Sequence, residues 1–214
     1  MMPGAMDTQS PITRLHFAHG TRAVRARWML EELSVDYQLA VIDLRKGEHK
    51  ADGHRAIHPL GKVPALEIDD TVILESLAIV LYLADRFWEK DLAPVVEARR
   101  ERAAYLTWMA FSTGTLEPAI LEQVRAKKAT GKGVETIDLG PALTPFEAVA
   151  RCVEDKLANH PFLLGDQFTA ADIMNGSMMI WAHTMGLLTG FPNTKGWIER
   201  LMSRAAYQRS NLAT

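Results

Sequence analysis

The signals for β-strands stop at Pro94, and this break constrains the fold more than any other feature of the sequence. Before Pro94, short strand-like runs alternate with helix-like segments. After it, apolar residues recur at helical spacing and no further strand signal is found. A chain of 214 residues has room for two small domains. We therefore predict an α/β first half and an all-helical second half.

The first half has the sequence pattern of a small mixed sheet. The predicted elements are a strand at 12–17, a helix at 21–33, a strand at 37–42, a short helical turn within 45–55, a hairpin at 65–74 and a helix at 75–87. The last of these helices is apolar at almost every position, which is typical of a helix buried on most sides. The order β-α-β-α-β-β-α is that of a thioredoxin-like domain.

The second half contains a helix start with unusually complete chemistry. Thr169 is placed to cap the helix, and Asp172 is placed to complete a capping box. Phe168 and Ile173 occupy the two positions of a hydrophobic staple. We assign this segment a structural role, as the nucleus of a core helix that runs on through Trp181.

Breaker residues divide the rest of the helical half. Gly114 and Pro118 predict a kink or break within the stretch 97–125. Glycines and prolines among charged residues predict an exposed connection over 127–141. The predicted domain limits are 12–88 and 97–214, with a flexible lead at 1–11 and a linker at 89–96.

Composition and charge exclude several classes of function. The formal net charge is -2 with a pI near 6.4, so no overall positive field is available for nucleic acid or an anionic membrane. The only cysteine, Cys152, excludes an internal disulfide and is predicted to pack in the core. His54 and His58 lack a third ligand, so we predict no metal site. The N-terminus has no apolar signal core, and we expect a cytoplasmic protein that is not bound to a membrane.

Three motifs then resemble one known family. They are Pro59-Leu-Gly-Lys-Val-Pro-Ala-Leu66, Leu74-Glu-Ser-Leu-Ala-Ile79 and Phe162-Leu-Leu-Gly-Asp-Gln-Phe-Thr-Ala-Ala-Asp172. In this order and at these separations, the motifs resemble the cytosolic glutathione transferase superfamily over nearly the whole chain. The resemblance implies that superfamily's fold, with a thioredoxin-like glutathione-binding domain followed by an all-α domain.

The resemblance implies where the cysteinyl and γ-glutamyl parts of glutathione bind. A cis Val63-Pro64 bond would turn the Val63 backbone outward, and in the family this backbone pairs with the cysteinyl residue as an added strand does. Ser76, at a helix N-terminus, is placed for the γ-glutamyl carboxylate. Glu75 is placed for the ligand's ammonium group. A proline that only starts a strand, and a Glu-Ser pair that only caps its own helix, are the structural alternatives.

The resemblance also points to the glycyl end of glutathione. His49 lies in a Gly-Glu-His segment similar to one that contacts the glycyl unit in related members, and Lys62 is a second cationic candidate. Histidine and lysine in loops are often simply solvated.

Thr21 stands where similar members carry serine, so the resemblance assigns it the catalytic position. A hydroxyl donor and the dipole of the helix that begins here would stabilise the glutathione thiolate and lower the thiol pKa. Thr21 could instead act only as a cap. His19, Phe17, or a backbone N–H at Thr21 or Arg22 are alternative contacts of the sulfur. Glutaredoxin-like chemistry would need a cysteine near 19–21, and none is present there.

The second substrate is expected over the sulfur, beside the first long helix of the helical half. The residues predicted to line its pocket are Phe17, His19, Trp108, Phe111 and Ser112. Each of the aromatic ones is equally typical of core packing.

The expected function is thus transfer of the glutathione thiolate to a small, apolar electrophile, with glutathione as co-substrate and no cofactor. Glutathione-dependent disulfide or peroxide reduction, and non-catalytic glutathione binding, are the alternatives. The resemblance also implies a homodimer, and the charge argues against a nucleic-acid partner.

Overall fold

The first half of the chain forms a four-stranded mixed sheet in the order β2-β1-β3-β4. The computed structural model describes residues 13–130 and 145–212, with side chains described except at 126–130. The strands are β1 (Arg14–Phe17), β2 (Gln38–Val41), β3 (Ala65–Ile68) and β4 (Thr71–Leu74). Strand β1 is parallel to β2 and antiparallel to β3, and β3 and β4 form the predicted hairpin.

Three helices accompany the sheet, and the helices of the second half follow them. The helices are α1 (Ala23–Leu33), α2 (Asp52–Ile57), α3 (Ser76–Arg86), α4 (Arg99–Phe111), α5 (Glu117–Thr130), α6 (Pro145–Leu157), α7 (Ala170–Thr184), α8 (Pro192–Met202) and α9 (Ala205–Ser210). Among the described residues after Leu74, all the regular elements are helices. The predicted fold class is confirmed.

The interruption predicted at Gly114 and Pro118 takes a specific form. A π-helical segment, Ser112–Leu116, joins α4 to α5 without a break in the chain's helical course. Single π-helical turns inside α-helices are a common way to insert an extra residue and redirect the next turn. Pro118 follows this segment within the continuous helical stretch, where it has no backbone N–H to donate to the preceding turn.

Two boundaries differ from the sequence prediction. Helix α5 continues to Thr130, so 127–130 is helical and the predicted connection at 127–141 cannot begin at Lys127. Helix α9 follows α8 after a short break at Ser203 and Arg204, and the sequence patterns do not predict it. Its six residues are too few for a reliable periodic signal. The predicted lead at 1–11 and the remainder of the connection lie outside the described residues.

Helix α7 forms the centre of the helical half and begins as predicted. The backbone N–H of Thr169 donates to Asp172 at 2.9 Å, which is the carboxylate half of the capping box. Asp172 also accepts from the Leu163 N–H at 3.0 Å and the Trp197 indole at 3.1 Å. Phe168 and Ile173 are both buried. The start of α7 therefore ties together the preceding loop and α8.

The prediction that Cys152 packs in the core is wrong. Helix α6 buries Phe146, Ala150, Val153 and Leu157, as their helical spacing predicts. Cys152 precedes Val153 by one residue, which turns it about 100° away from that face. It is exposed, with a free thiol.

In the part of the chain that the structure describes, every helix is too short or too polar to cross a membrane.

Candidate active site

A cavity of about 820 Å³ opens between the sheet domain and the helical half. One face of α1 forms its floor, with Thr21 just before the helix and Val24, Arg25 and Trp28 along it. These positions lie three, four and seven residues beyond Thr21, and such residues share one face of a helix. Helices α7 and α9 form the opposite wall, and the 49–63 region closes one end.

A glycine allows the two loops at that end to meet. Gly61 has φ +58°, and a Cβ there would lie 2.5 Å from the carbonyl oxygen of His49. A side chain at this position would therefore push the His49 loop away. Buried His54 also bonds the Lys62 carbonyl through Nε2 at 2.9 Å. These contacts bring His49, Lys62 and Val63 to the cavity wall.

The Val63-Pro64 bond is cis, and Pro64 is buried directly before β3. Val63 is half-buried and lines the cavity, whereas Pro64 does not.

Glu75 and Ser76 lie at the N-terminus of α3. Glu75 is exposed and has φ 69° and ψ 123°, a region that a residue with a Cβ rarely adopts. Strained backbone of this kind persists where the surroundings enforce it, commonly at ligand sites. Ser76 is buried, and its hydroxyl accepts a hydrogen bond from Arg25 at 3.2 Å. Neither residue lines the cavity itself, but Arg25 joins Ser76 to it.

The Thr21 hydroxyl makes two local hydrogen bonds. It donates to the Ala18 carbonyl at 2.7 Å and accepts from the Ala23 N–H at 3.2 Å. The side chain is only partly buried and faces the cavity. A hydroxyl that already donates must rotate away from Ala18 to donate to a ligand sulfur.

An ion cluster joins α1 to the start of α5. Glu117 accepts from Arg25 at 2.9 Å and also from Arg22. Arg25 is fully buried and donates further to the Ser177 hydroxyl at 3.0 Å and the Met178 sulfur at 2.9 Å. A buried arginine with this many partners is held in one position.

Burial alone shifts the pKa values of Arg25 and Glu117 in the direction that disfavours each charge, downwards for Arg25 and upwards for Glu117. It lowers the pKa of Arg25, and the charge of Glu117 and its hydrogen bond oppose that shift. Burial alone would raise the pKa of Glu117, but the hydrogen bond from Arg22 and the charge of Arg25 outweigh it and hold the pKa below its usual range. Glu117 is therefore an anion at neutral pH.

The residues predicted for the second substrate do not line this cavity. Phe17, the last residue of β1, is fully buried, and exposed His19 packs edge-on against it with ring centroids 4.8 Å apart. Ser112 is also fully buried and donates to the Met109 carbonyl at 2.7 Å. Trp108 and Phe111 pack against each other, with ring centroids 5.1 Å apart.

Other side chains, which sequence reasoning did not select, form the helical wall. They are Leu121, Ser177, Met178, Ile180, Trp181, Thr184, Tyr207, Ser210 and Asn211. Of the residues missed, those of α1 gave a usable signal, because Val24, Arg25 and Trp28 lie three, four and seven residues beyond Thr21 on one helix face. The others come from elements that are distant in sequence, and only folding brings them together.

The chain matches two family models along its length. Residues 10–85 match "Glutathione S-transferase, N-terminal domain" and residues 97–200 match "Glutathione S-transferase, C-terminal domain". The chain belongs to the cytosolic glutathione transferase superfamily. The prediction made from the three motifs is confirmed, and so is the prediction of a transferase enzyme with glutathione transferase function.

Similar proteins come from plants, animals and bacteria. Glutathione S-transferase 3 of Zea mays is 26% identical over 196 residues, which cover 87% of each chain. Human glutathione S-transferase theta-1 is 29% identical over 78% of this chain and 72% of its own. Among solved structures, a glutathione transferase from Methylococcus capsulatus aligns with a TM-score of 0.77 and 27% identity, over 94% of this chain and 97% of that one. Glutathione transferase F7 from Populus trichocarpa aligns with a TM-score of 0.74 and 26% identity, over 93% and 97%.

Proposed function

We propose that the enzyme binds reduced glutathione along the 49–63 edge of the cavity and the nearby start of α3, and transfers its thiolate to an apolar electrophile held against α7 and α9. The observation that carries the proposal is that one cavity brings together Thr21, His49, Lys62 and Val63. These residues are separated by up to 42 positions in the sequence, yet together they suit the sulfur, the cysteinyl backbone and the glycyl carboxylate of the tripeptide.

The γ-glutamyl end is assigned to Glu75 and Ser76. The N-terminus of α3 offers free N–H groups and a positive dipole end to the ligand carboxylate. The hydrogen bond from Arg25 occupies a lone pair of the Ser76 hydroxyl, so its own hydrogen is available for that carboxylate. Exposed Glu75 is available for the ammonium group.

The remaining contacts follow the cavity wall. The Val63 backbone, ahead of Pro64 and β3, pairs with the cysteinyl residue as an added strand would. His49 and Lys62 take the glycyl carboxylate. The Thr21 hydroxyl rotates from Ala18 to the sulfur, where it stabilises the thiolate. The domain limits 12–88 and 97–214 are part of the same proposal, as are a cytoplasmic location and a reaction that needs no cofactor.

Titration calorimetry with glutathione tests the proposal. We expect binding at millimolar or lower concentration, weakened roughly 10-fold by Ser76→Ala because a carboxylate hydrogen bond is lost. The control is Ser203→Ala, since exposed Ser203 bonds only the carbonyl of its own helix. The absence of heat with glutathione at millimolar concentration contradicts the proposal.

We further propose that the protein is a homodimer, in which the sheet domain of one subunit packs on the helical half of the other. Light scattering coupled to size-exclusion chromatography measures the mass directly. A mass near one 23.8 kDa chain rather than two contradicts the dimer.

A further inference from the structure

The charge of the cavity is opposite to that of the chain. Among the described residues that line it, Glu117 is the one acid, whereas Arg22, Arg25 and Lys62 are cations. Three cations against one acid leave two positive charges, although the whole chain has a formal net charge of -2. A positive cavity in a slightly acidic chain indicates that the bound molecules are anionic.

The positive charge lies in two separate places. Lys62 belongs to the edge proposed for glutathione. Arg22 and Arg25 instead reach across the cavity to Glu117 of the helical half. Glutathione's two carboxylates are assigned to the Lys62 edge and to the start of α3, so neither accounts for the Arg22 side chain.

Arg22 is the member of the cluster that is free to bind a ligand. Arg25 has no exposed surface and donates to four partners. Glu117 has 8% of its side chain exposed and is shared between both arginines, whereas Arg22 has 56% exposed. A guanidinium has five N–H donors in a planar fork, and Arg22 directs only part of them to Glu117.

The cavity that Arg22 lines also has apolar side chains. Leu121 lies one helical turn beyond Glu117, and Ile180 and Trp181 contribute from α7. A charge interaction is stronger beside walls of this kind than in open water. The site is therefore suited to a molecule with an apolar body and one anionic group.

We propose that the electrophile is such an amphiphile, an apolar or aromatic molecule bearing a carboxylate that Arg22 binds. This inference rests on the proposed function. With an aryl chloride, for example, the thiol first releases its proton to solvent. The thiolate sulfur then forms a bond to the ring carbon, and chloride leaves with the electron pair of the carbon–chlorine bond. Arg22 takes no part in the bond changes and determines which electrophile is held.

Two reaction products that differ by one carboxylate provide the test. They are S-(2,6-dinitrophenyl)glutathione and the same conjugate with a carboxylate opposite the sulfur. We expect calorimetry to show roughly 10-fold tighter binding of the carboxylated conjugate, as for one added charge-assisted hydrogen bond. Arg22→Gln should remove this preference, and Glu117→Gln, which frees both arginines, should increase it. The control Arg100→Gln removes the same charge from an exposed position of α4 and should leave the preference unchanged.

Equal binding of the two conjugates by the unmodified enzyme overturns the inference, as does a preference that survives in Arg22→Gln. Because each variant is judged by the ratio of two affinities, partial unfolding cancels. If glutathione and the conjugate without the added carboxylate bind but that carboxylate adds nothing, only this inference fails. If glutathione itself does not bind, the proposed function fails as well.

Discussion

Thr21 lies just before α1 and makes hydrogen bonds to Ala18 and Ala23. These bonds place its hydroxyl at the cavity, but they also use its hydrogen. The hydrogen bond to the Ala18 carbonyl and the contact with sulfur therefore compete for one proton, whereas the bond accepted from the Ala23 N–H does not use it. A methyl group in place of the hydroxyl would remove both interactions while leaving the volume nearly unchanged.

We expect Thr21→Val to lower kcat/KM roughly 10- to 100-fold, as for the loss of one hydrogen bond to a charged group. The pKa of bound glutathione, measured from thiolate absorbance against pH, should rise towards that of the free thiol. Thr21→Ser keeps the hydroxyl and should retain activity within about 3-fold, on the same reasoning. An unchanged thiol pKa in Thr21→Val would assign the thiolate to a backbone N–H instead.

At the scale of elements, α7 depends on features at its start and in its middle. Asp172 has no exposed surface and accepts hydrogen bonds from the preceding loop and from α8. Four residues further on, Gly176 lies under α8, where a Cβ would come 2.4 Å from the end of the Leu201 side chain. One residue fixes where the helix begins, and the other lets α8 approach it.

Asp172 should make a contribution to stability that decreases as pH rises. Burial raises its pKa to about 6, and its hydrogen bonds oppose that shift. A folded-state pKa above the unfolded one means that the folded protein binds the proton more tightly. The stability from this group is therefore complete below the unfolded pKa and is lost as pH rises through about 6.

Urea unfolding of the unmodified protein and of Asp172→Asn, compared across this range, isolates that contribution. The free energy of unfolding of the unmodified protein, minus that of Asp172→Asn, should decrease as pH rises. Asp166→Asn, in the exposed part of the same loop, should show a constant difference. If this difference instead increases with pH, the hydrogen bonds to Asp172 lower its pKa more than burial raises it.

Two glycine substitutions should have opposite effects on stability. Gly176→Ala forces Leu201 out of its packed position and should cost about 1–3 kcal/mol. Gly196→Ala, in α8, has open space around the added methyl and should stabilise by about 0.4–1 kcal/mol, because alanine restricts the unfolded chain. Denaturant midpoints of the two variants measure both effects, and equal shifts would contradict the packing account.

At the scale of the whole molecule, the last helix packs against the first. Helix α9 packs on α1, and Tyr207 lies edge-on against Trp28 with ring centroids 4.9 Å apart. Arg204 holds Glu32 through two hydrogen bonds of 2.7 and 2.8 Å and stacks 3.7 Å above Phe168. Because α9 also lines the cavity, this contact couples the last helix to the active site.

The two arginines that link α9 to α1 should contribute different amounts to the free energy of unfolding. Arg204→Ala loses a bidentate pair and an aromatic contact and should cost about 2 kcal/mol. Arg209→Ala loses a more exposed pair with Glu31 and should cost less than about 1 kcal/mol. Thermal or urea unfolding measures both. Equal losses of stability in the two variants would mean that α9 is held by its apolar face alone.

The sequence by itself determined the elements and the family. Local patterns specified the hairpin, the start of α7 and the division near Pro94, since turns, caps and helical periodicity depend on neighbouring residues. Family motifs added the residues expected around glutathione. The same local reasoning misplaced Cys152 by one position on α6, where a 100° turn separates core from surface.

Only the tertiary structure decided the cavity wall opposite glutathione. Arg22 and Glu117 are 95 residues apart and meet only after the two halves have folded against each other. Trp108 and Phe111 are suited by composition to line a pocket, yet they pack with one another outside it. The face that a helix presents to a distant partner depends on long-range packing, which local periodicity does not encode.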